Sequence, residues 1–220
     1  MDAISRPKSL TELVTESLRA RIIAGDFDLG SQLSEARLAK DLQVSRTPVR
    51  EAVNRLEMEG LLSVEPQRGS FVFNLDPDEL AKLCDARTCL ETTALADAID
   101  ADAMGLHKAL SACVSKMEEA RKAGDDSGYL ALDTEFHQLF FDFADNRFLN
   151  DAYQTIAQKM AALRNRLGRH PDHMAKSYAE HQSIAESVST GDKTEALATL
   201  RMHIDRKEGS YWNVATSSGD

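Results

Sequence analysis

The chain has 220 residues and a formal net charge of −10, which comes from 26 basic and 36 acidic side chains. This length exceeds one typical domain, so we expect two. There is no apolar run long enough to span a bilayer and no signal-peptide pattern at the N-terminus, which argues against a membrane protein and a secreted one. The cysteines, Cys84, Cys89 and Cys113, lack metal-ligand spacing, and we expect them to be reduced core residues of a cytoplasmic protein.

The character of the chain changes near residues 74–78. Residues 1–74 carry 10 basic and 11 acidic side chains, a formal charge of −1, whereas residues 75–220 carry 16 and 25, a formal charge of −9. Nucleic-acid binding depends on a local basic patch rather than on the total charge, so the near-neutral first segment remains a candidate DNA-binding domain. We therefore predict one domain over residues 1–75 and a second over residues 76–220.

The first domain opens with an amphipathic helix, and residues 33–73 then predict a helix, a tight turn, a second helix and a two-stranded wing. In the second helix, Val49, Val53 and Leu56 fall on one apolar face. Gly60 is expected to end this helix. The pattern is typical of a winged helix-turn-helix that binds DNA.

The polar face of the second helix carries Arg46, Thr47 and Arg50 near its N-terminus. Pro48 in the first turn favours a rigid helix start, whose free amides and positive dipole end suit a phosphate. Between the two short strands, residues 65–70 form a turn whose arginine and glycine suit a wing tip in a DNA groove.

The stretch SRTPVREAVNRLEMEGLLSVEPQRGSFV resembles the DNA-binding signature of the GntR family of bacterial transcription regulators. The resemblance implies contacts with operator DNA at Arg46, Thr47, Arg50 and Gly69. Many members of the fatty-acid-regulator type have an arginine where this chain has Ala36. Arg37, the next residue, is therefore expected to contact DNA either at a base or at a phosphate.

The second domain predicts helices throughout. The sequence Asp76-Pro77-Asp78-Glu79 combines an N-cap, a proline at the first helical position and acids in the first turn. Helices are expected over about residues 77–100, 103–123, 126–145, 147–168, 172–190 and 193–210. The predicted fold is mainly α, with an N-terminal winged helix-turn-helix that has a small two-stranded wing and a C-terminal antiparallel bundle of about six helices. This portion resembles the FCD effector domain of the fatty-acid-regulator (FadR-like) subfamily.

Four residues of the bundle form a candidate metal site: Asp133, His137, His181 and His203. Asp133 and His137 are four residues apart and share one helix face, and all four residues lie among apolar neighbours. A divalent cation with three imidazoles satisfies an interior carboxylate, and this ligand set suits zinc first, with nickel, manganese, iron and cobalt as alternatives. The competing interpretation is that each side chain is a hydrogen-bonded core residue.

Arg87 interrupts the apolar face of its helix, and a buried guanidinium needs an anion. The anion is either Glu91, one turn further on, or the carboxylate of a small ligand beside the metal, which is the role that the resemblance gives to an arginine on this helix. Arg164 and Asn165 are expected to line the same effector cavity.

Among the other histidines, His107 has no ligand-spaced neighbour. His107 lies on an apolar face and is interpreted as a core or interface residue. His170 and His173 flank Pro171 at a helix start and are expected at the surface.

Together these patterns and the GntR resemblance predict a transcription regulator, taken to be a repressor with an activator as the alternative, that binds a pseudo-palindromic double-stranded operator as a homodimer. Its helical domain would bind a divalent metal and a small carboxylate effector that modulates DNA binding. The alternatives are a metal sensor and a metal-dependent enzyme acting on a small carboxylic acid. The enzyme hypothesis lacks a general base, because Glu135 faces away from Asp133 and Glu180 lies beside the His181 face. It also leaves the winged domain unexplained, so we predict no catalytic residues.

Overall fold

The computed structural model describes residues 7–167 and 171–204. The chain divides into two compact units, Met1–Asn74 and Leu75–Asp220. In chain order, the elements are α1 (Leu10–Ala24), β1 (Gln32–Leu33), α2 (Glu35–Asp41), α3 (Arg46–Met58), β2 (Leu62–Glu65), β3 (Gly69–Val72), α4 (Pro77–Ala123), α5 (Asp126–Ala144), α6 (Arg147–Leu167), α7 (Pro171–Thr190) and α8 (Lys193–Ile204). The predicted fold, a winged helix-turn-helix followed by a helical domain, is confirmed.

The first unit is organised around α1, which packs on α3. A capping box starts α1, because the Ser9 hydroxyl accepts from the Glu12 amide and the Glu12 carboxylate accepts from the Ser9 amide. Leu18 of α1 is completely buried. Arg19 donates two hydrogen bonds to Glu59, of 2.9 and 2.6 Å, and so joins α1 to the C-terminal end of α3.

The wing belongs to an antiparallel sheet with the strand order β1-β3-β2. Strands β2 and β3 are the predicted pair, and their register places Val64 opposite Ser70. Strand β1 pairs with the other edge of β3 and was not predicted. Its two residues, Gln32 and Leu33, are too few to show the alternation by which a strand is recognised in a sequence.

Helix α4 is long but not continuous. Its N-terminus has the predicted N-cap, since Asp76 accepts from the amides of Asp78 and Glu79, and the Glu79 side chain completes a capping box. Asp102 has non-helical angles (φ −156°, ψ 78°), and its carboxylate accepts from the Gly105 amide at 2.8 Å. Asp102 therefore caps a second helix, close to the break predicted between residues 100 and 103.

The second unit is a bundle in which α4 contacts α5, α6, α7 and α8. Cys84 and Cys113 lie in its core as predicted, and burial raises the pKa of the Cys113 thiol to about 12. Cys89 is exposed, so its prediction as a core residue was wrong. It lies five residues after Cys84 and hence on a different face of α4. Across the described ranges, every helix is too short or too polar to cross a membrane.

Candidate functional site

The surface predicted to face DNA is built on the N-terminal part of α3. Pro48 and Val49 are buried, whereas Arg46, Thr47 and Arg50 are exposed. This division follows the 3.6-residue period of the helix, because the aliphatic side chains that anchor α3 turn its polar face outwards. Three of the predicted contact residues therefore share one accessible face.

Two arginines near this face have acidic neighbours in the structure. Nε of Arg50 lies 3.3 Å from Oε2 of Glu35, and Nε of Arg37 lies 3.8 Å from Oδ2 of Asp41. The side chains of Arg50 and Arg37 are still 68% and 84% exposed, respectively. Exposed ion pairs contribute at most about 1 kcal/mol, so both guanidiniums can exchange these partners for phosphate or base acceptors.

Gly69 lies at the wing, where the backbone requires glycine. Its φ is +113°, and a Cβ atom at this position would lie 2.9 Å from the side-chain nitrogen of Gln32. That same nitrogen donates to the carbonyl oxygen of Arg68 at 2.5 Å. The glycine therefore allows β1 and the wing turn to approach each other, in addition to any contact with DNA.

The four candidate metal ligands meet inside the second unit. Asp133 and His137 come from α5, His181 from α7 and His203 from α8, and all four are buried. One ligand atom from each residue lies within 4.8 Å of the ligand atoms of the others. Three helices that are distant in sequence thus bring the four predicted residues together in one buried cluster.

Two further carboxylates hold two of the imidazoles. Oε2 of Glu91 lies 2.7 Å from Nδ1 of His137, and Oε2 of Glu180 accepts from Nδ1 of His203 at 2.9 Å. A carboxylate at this distance favours a hydrogen on Nδ1, since two lone pairs would repel. The Nε2 atoms of His137 and His203, 3.2 Å apart, then present their lone pairs to the cluster.

His181 has a different environment. Its ring lies 4.3 Å from that of Phe136, and neither of its buried nitrogens has a hydrogen-bond partner. Nε2 of His181 is 3.6 Å from Oδ1 of Asp133. Burial, together with the neighbouring His203, lowers the pKa of His181 to about 3, so its imidazole is neutral at physiological pH.

Asp133 is held as a carboxylate. Burial alone would raise its pKa, but Arg164, with Nε 3.0 Å from Oδ2, and the nearby imidazoles lower the pKa below its ordinary value. The hydroxyl of Ser177 also donates to Oδ1, at 3.4 Å. The cavity that reaches Asp133 and Arg164 measures about 10 Å³, roughly the volume needed for one water molecule.

Three residues were predicted to bind an effector. Arg87 is completely buried, donates to Oε1 of Glu91 at 2.6 Å and lies 2.9 Å from Nε2 of His137. Arg164 borders the cluster through Asp133. The Asn165 amide donates to the carbonyl oxygen of Ala161, so the structure pairs it with its own helix rather than with the cluster.

The remaining histidines differ from the metal set. Nδ1 of His107 lies 3.0 Å from the carbonyl oxygen of Ala185, consistent with its interpretation as a satisfied core residue. His173 is half-buried and lines the cavity beside Asp133, so it does not lie on the open surface as predicted. The prediction of a surface position failed because the sequence does not show that the start of α7 approaches Asp133. His170 lies outside the described residues.

Sequence reasoning missed Glu91 and Glu180 as partners of the cluster. Glu91 was considered only as a partner of Arg87, four residues away, and Glu180 was set aside because it lies beside the His181 face. Each contacts an imidazole from another helix, a relation that the periodicity of a single helix does not reveal. The sequence signal that could have identified them is proximity, because Glu91 is four residues from Arg87 and Glu180 is next to His181.

The residues of the cluster fit a divalent transition ion. They supply three imidazoles and a carboxylate, and carboxylates behind two imidazoles are a common arrangement around protein-bound metals. The two buried nitrogens of His181 provide the structural test, because burial without a partner is unfavourable and coordination satisfies one of them.

Two protein-family models match the chain. The model described as "Bacterial regulatory proteins, gntR family" covers residues 10–72, and the model described as "FCD domain" covers residues 82–206. Together they account for both units of the structure.

Relatives extend this similarity over most of the chain. The HTH-type transcriptional regulator YdhC of Bacillus subtilis is 30% identical over 194 residues, which cover 86% of this chain and 84% of that protein. The gluconate operon transcriptional repressor of the same organism is 26% identical over 197 residues, with 87% and 81% covered. The solved structure of E. coli McbR/YncC matches with a TM-score of 0.77 at 22% identity, covering 96% of this chain and 97% of that one, which shows a shared fold.

We expect the metal-free protein to lose stability as the pH falls from 7 to 5. The pKa of His181 is lowered from 6.5 to about 3 by folding, so the unfolded chain binds more protons in this window. The stability associated with this neutral imidazole is complete above pH 6.5 and declines below it, by about 2 kcal/mol at pH 5. Urea unfolding at pH 7, 6 and 5 with a chelator present measures the change.

A His181→Gln variant is the control, because it removes the titrating group while keeping a side chain of similar size. Its stability should depend less steeply on pH. An identical slope in both proteins would show that this imidazole is already solvated in the folded state.

Proposed function

Because the chain belongs to the GntR family of bacterial transcription regulators and carries an FCD domain, we propose that it is a repressor whose helical unit binds a divalent metal ion and a small carboxylate effector. Both matched domains and the similar curated proteins are those of DNA-binding transcription factors, so the enzyme alternative is set aside. Cytoplasmic location, where the operator is accessible, is part of this proposal.

One observation carries the metal proposal. Four ligand atoms from three helices converge within 4.8 Å in a buried place, and the structure supplies carboxylate partners on the far sides of His137 and His203. A set of core histidines without a metal would be expected to satisfy its nitrogens with hydrogen bonds, which His181 does not. Asp133, His137, His181 and His203 would hold the ion.

The charges around the cluster favour an anionic effector. Arg87 and Arg164 balance Glu91 and Asp133, and Glu180 beside His203 would offset one charge of a divalent ion, so a loaded site would keep one positive charge in excess. A bound metal supplies a Lewis-acidic anchor for a carboxylate or hydroxyl oxygen. Arg87 would bind the same carboxylate, and Arg164 would border it. Since the cavity beside Asp133 measures only about 10 Å³, an organic acid requires the surrounding helices to separate.

The DNA-binding proposal uses α3 as the recognition helix. Arg46 and Arg50 would donate to base edges in the major groove, and Thr47 would contact a phosphate. Ser45 occupies the N-cap position without a side-chain capping bond, so its hydroxyl and the first-turn amides remain available to a phosphate. Gly69 would let the wing backbone approach the duplex. Arg37, at the start of α2, is exposed, as is Ala36.

Regulation would follow from dimer geometry. Two copies bound to a pseudo-palindrome must present their recognition helices about 34 Å apart. An effector that binds one arrangement of the helical units more tightly shifts the population toward it, with a typical coupling of about 1 to 3 kcal/mol. The similarity to a gluconate operon repressor places sugar acids and other hydroxy acids among the first compounds to test.

We predict that Arg46→Ala and Arg50→Ala each weaken binding to a cognate operator by about 1 to 3 kcal/mol, because each removes a donor to a base edge. Arg37→Ala should weaken cognate and scrambled duplexes equally if its contact is a phosphate. Fluorescence anisotropy with labelled duplexes at fixed salt concentration measures both effects.

Arg55→Ala serves as the matched control, since Arg55 is an exposed arginine further along α3. It changes the charge by the same amount and should leave sequence preference intact. Native cognate affinity in both the Arg46 and Arg50 variants would refute the assignment of the recognition face.

Protein purified without added metal should contain close to one transition-metal ion per chain. His203→Ala should abolish tight binding, and Glu180→Ala should weaken it by about 10- to 100-fold, because His203 then loses the carboxylate that orients it. Elemental analysis gives the content, and competition with a chromogenic chelator gives the affinity.

The matched controls are His107→Ala and Glu186→Ala. His107 makes its contact away from the cluster, and Glu186 is an exposed acid on α7. Both variants should retain native metal affinity. Full metal content in the His203 variant would contradict the metal proposal and favour the interpretation that these side chains are hydrogen-bonded core residues.

A screen of small mono-, di- and hydroxy-acids should raise the melting temperature of the metal-loaded protein for some members. A ligand at about 100 times its dissociation constant adds roughly 2.7 kcal/mol. The shift should disappear in Arg87→Ala, and the same acid should change operator affinity and be recovered chemically unchanged. If metal alone changes operator affinity and no acid does, the protein is a metal sensor instead.

A further inference from the structure

Arg87 and Glu91 lie against the two nitrogens of one imidazole ring, that of His137. Nε of Arg87 donates to Oε1 of Glu91 at 2.6 Å, and Nη2 of Arg87 lies 2.9 Å from Nε2 of His137. The other oxygen of Glu91, Oε2, lies 2.7 Å from Nδ1 of the same ring. Guanidinium, carboxylate and imidazole therefore form a closed triangle, and all three side chains are completely buried.

These contacts define the state of His137. A guanidinium can only donate hydrogen bonds, so Nε2 of His137 must offer its lone pair to Nη2 of Arg87. On the opposite side, Oε2 of Glu91 lies 2.7 Å from Nδ1 and favours a hydrogen on that nitrogen. Because Nε2 of His137 also lies 3.2 Å from Nε2 of His203, this lone pair is the one directed into the metal cluster.

We infer that Arg87 and a metal ion compete for the Nε2 lone pair of His137, so that Arg87 becomes available to an anion only after the metal site is loaded. A nitrogen has one lone pair in the ring plane, and it cannot accept from Nη2 while it coordinates a cation. This inference rests on the proposed function, and it specifies the order in which the two ligands bind.

Glu91 determines where the released guanidinium stays. The bond from Nε of Arg87 to Oε1 does not involve His137, so it persists when Nη2 withdraws. The guanidinium remains beside the cluster with a donor to spare, next to a divalent charge that repels it. A carboxylate between the two cations removes this repulsion and accepts from the fork.

Binding of metal and of anion should consequently be coupled in both directions. Metal loading creates the anion subsite, and by linkage an anion held by Arg87 must raise the affinity for the metal by the same factor. Without the metal, Arg87 already has partners on both Glu91 and His137, so a carboxylate gains little by displacing them.

The first test follows the side chain of Arg87 in the native full-length protein. Arginine labelled with ¹⁵N is observed by NMR with a chelator and then with one equivalent of Zn²⁺, and Arg87→Lys identifies the signals. The Nη2 protons should be protected with chelator and exchange faster with Zn²⁺, while the Nε proton stays protected in both. Nη2 protons that are equally protected with Zn²⁺, or already unprotected with chelator, would overturn the inference.

The second test measures linkage with acetate as the probe anion. Zn²⁺ affinity is determined by chelator competition with acetate or with chloride at equal ionic strength. Acetate should tighten Zn²⁺ binding by about 10-fold in the native protein, within the range typical of coupled sites. The gain should be lost in Arg87→Lys and retained in Arg121→Lys, which alters an arginine stacked on Tyr178 outside the cluster.

The outcomes separate the two levels of the proposal. Failure of the native chain to bind Zn²⁺ would overturn the metal function and this inference with it. Zn²⁺ binding without an acetate effect, or with an acetate effect that survives Arg87→Lys, would overturn the inference alone and leave the metal function standing.

Discussion

The cost of burying charge is the constraint on which the second unit depends. Its interior holds two arginines, Arg87 and Arg164, and two carboxylates, Glu91 and Asp133. Each arginine is paired with one carboxylate, so no net formal charge is left in the dry interior. The imidazoles of His137 and His181 are a different matter, because burial lowers their pKa values and a neutral ring carries a lone pair that needs a donor or a cation. The helices can pack closely because the fixed charges cancel. The two nitrogens of His181 still have no hydrogen-bond partner within the described residues.

The same logic connects the cluster to its surroundings. Glu91 has one oxygen on Arg87 and the other beside His137, so a single carboxylate links the guanidinium to the imidazole of His137. Arg164 similarly holds Asp133 in its ionised form. In the first unit the charges are paired at the surface instead, as in Arg50 with Glu35, and such exposed pairs exchange readily with other partners. The buried ion pairs of the second unit therefore fix the positions of their side chains, whereas the exposed ion pairs of the first unit can be exchanged for other partners.

Much of this architecture could be predicted from the sequence, and the failures have common causes. The spacing of Asp133 and His137 placed them on one helix face, and the caps at Asp76 and Asp102 lie close to the predicted helix starts. Periodicity describes one helix at a time, so it missed the contacts of Glu91 and Glu180 with rings on other helices. It likewise missed β1, whose two residues form a strand only because β3 offers a free edge. The apolar faces of their helices, together with the FCD resemblance, brought His181 and His203 into the set, since neither has a ligand-spaced neighbour of its own.

The short connection between the two units has a mechanical consequence. The first unit ends at Asn74 and α4 begins at Pro77, so only Leu75 and Asp76 lie between them, and Asp76 is already fixed as the cap of α4. Two residues reach at most about 7 Å, a small fraction of the roughly 34 Å that separates half-sites on DNA. A connection this short allows little displacement between the end of the first unit and the start of α4. In the proposed dimer, the operator spacing would therefore be limited by where the two copies of α4 begin.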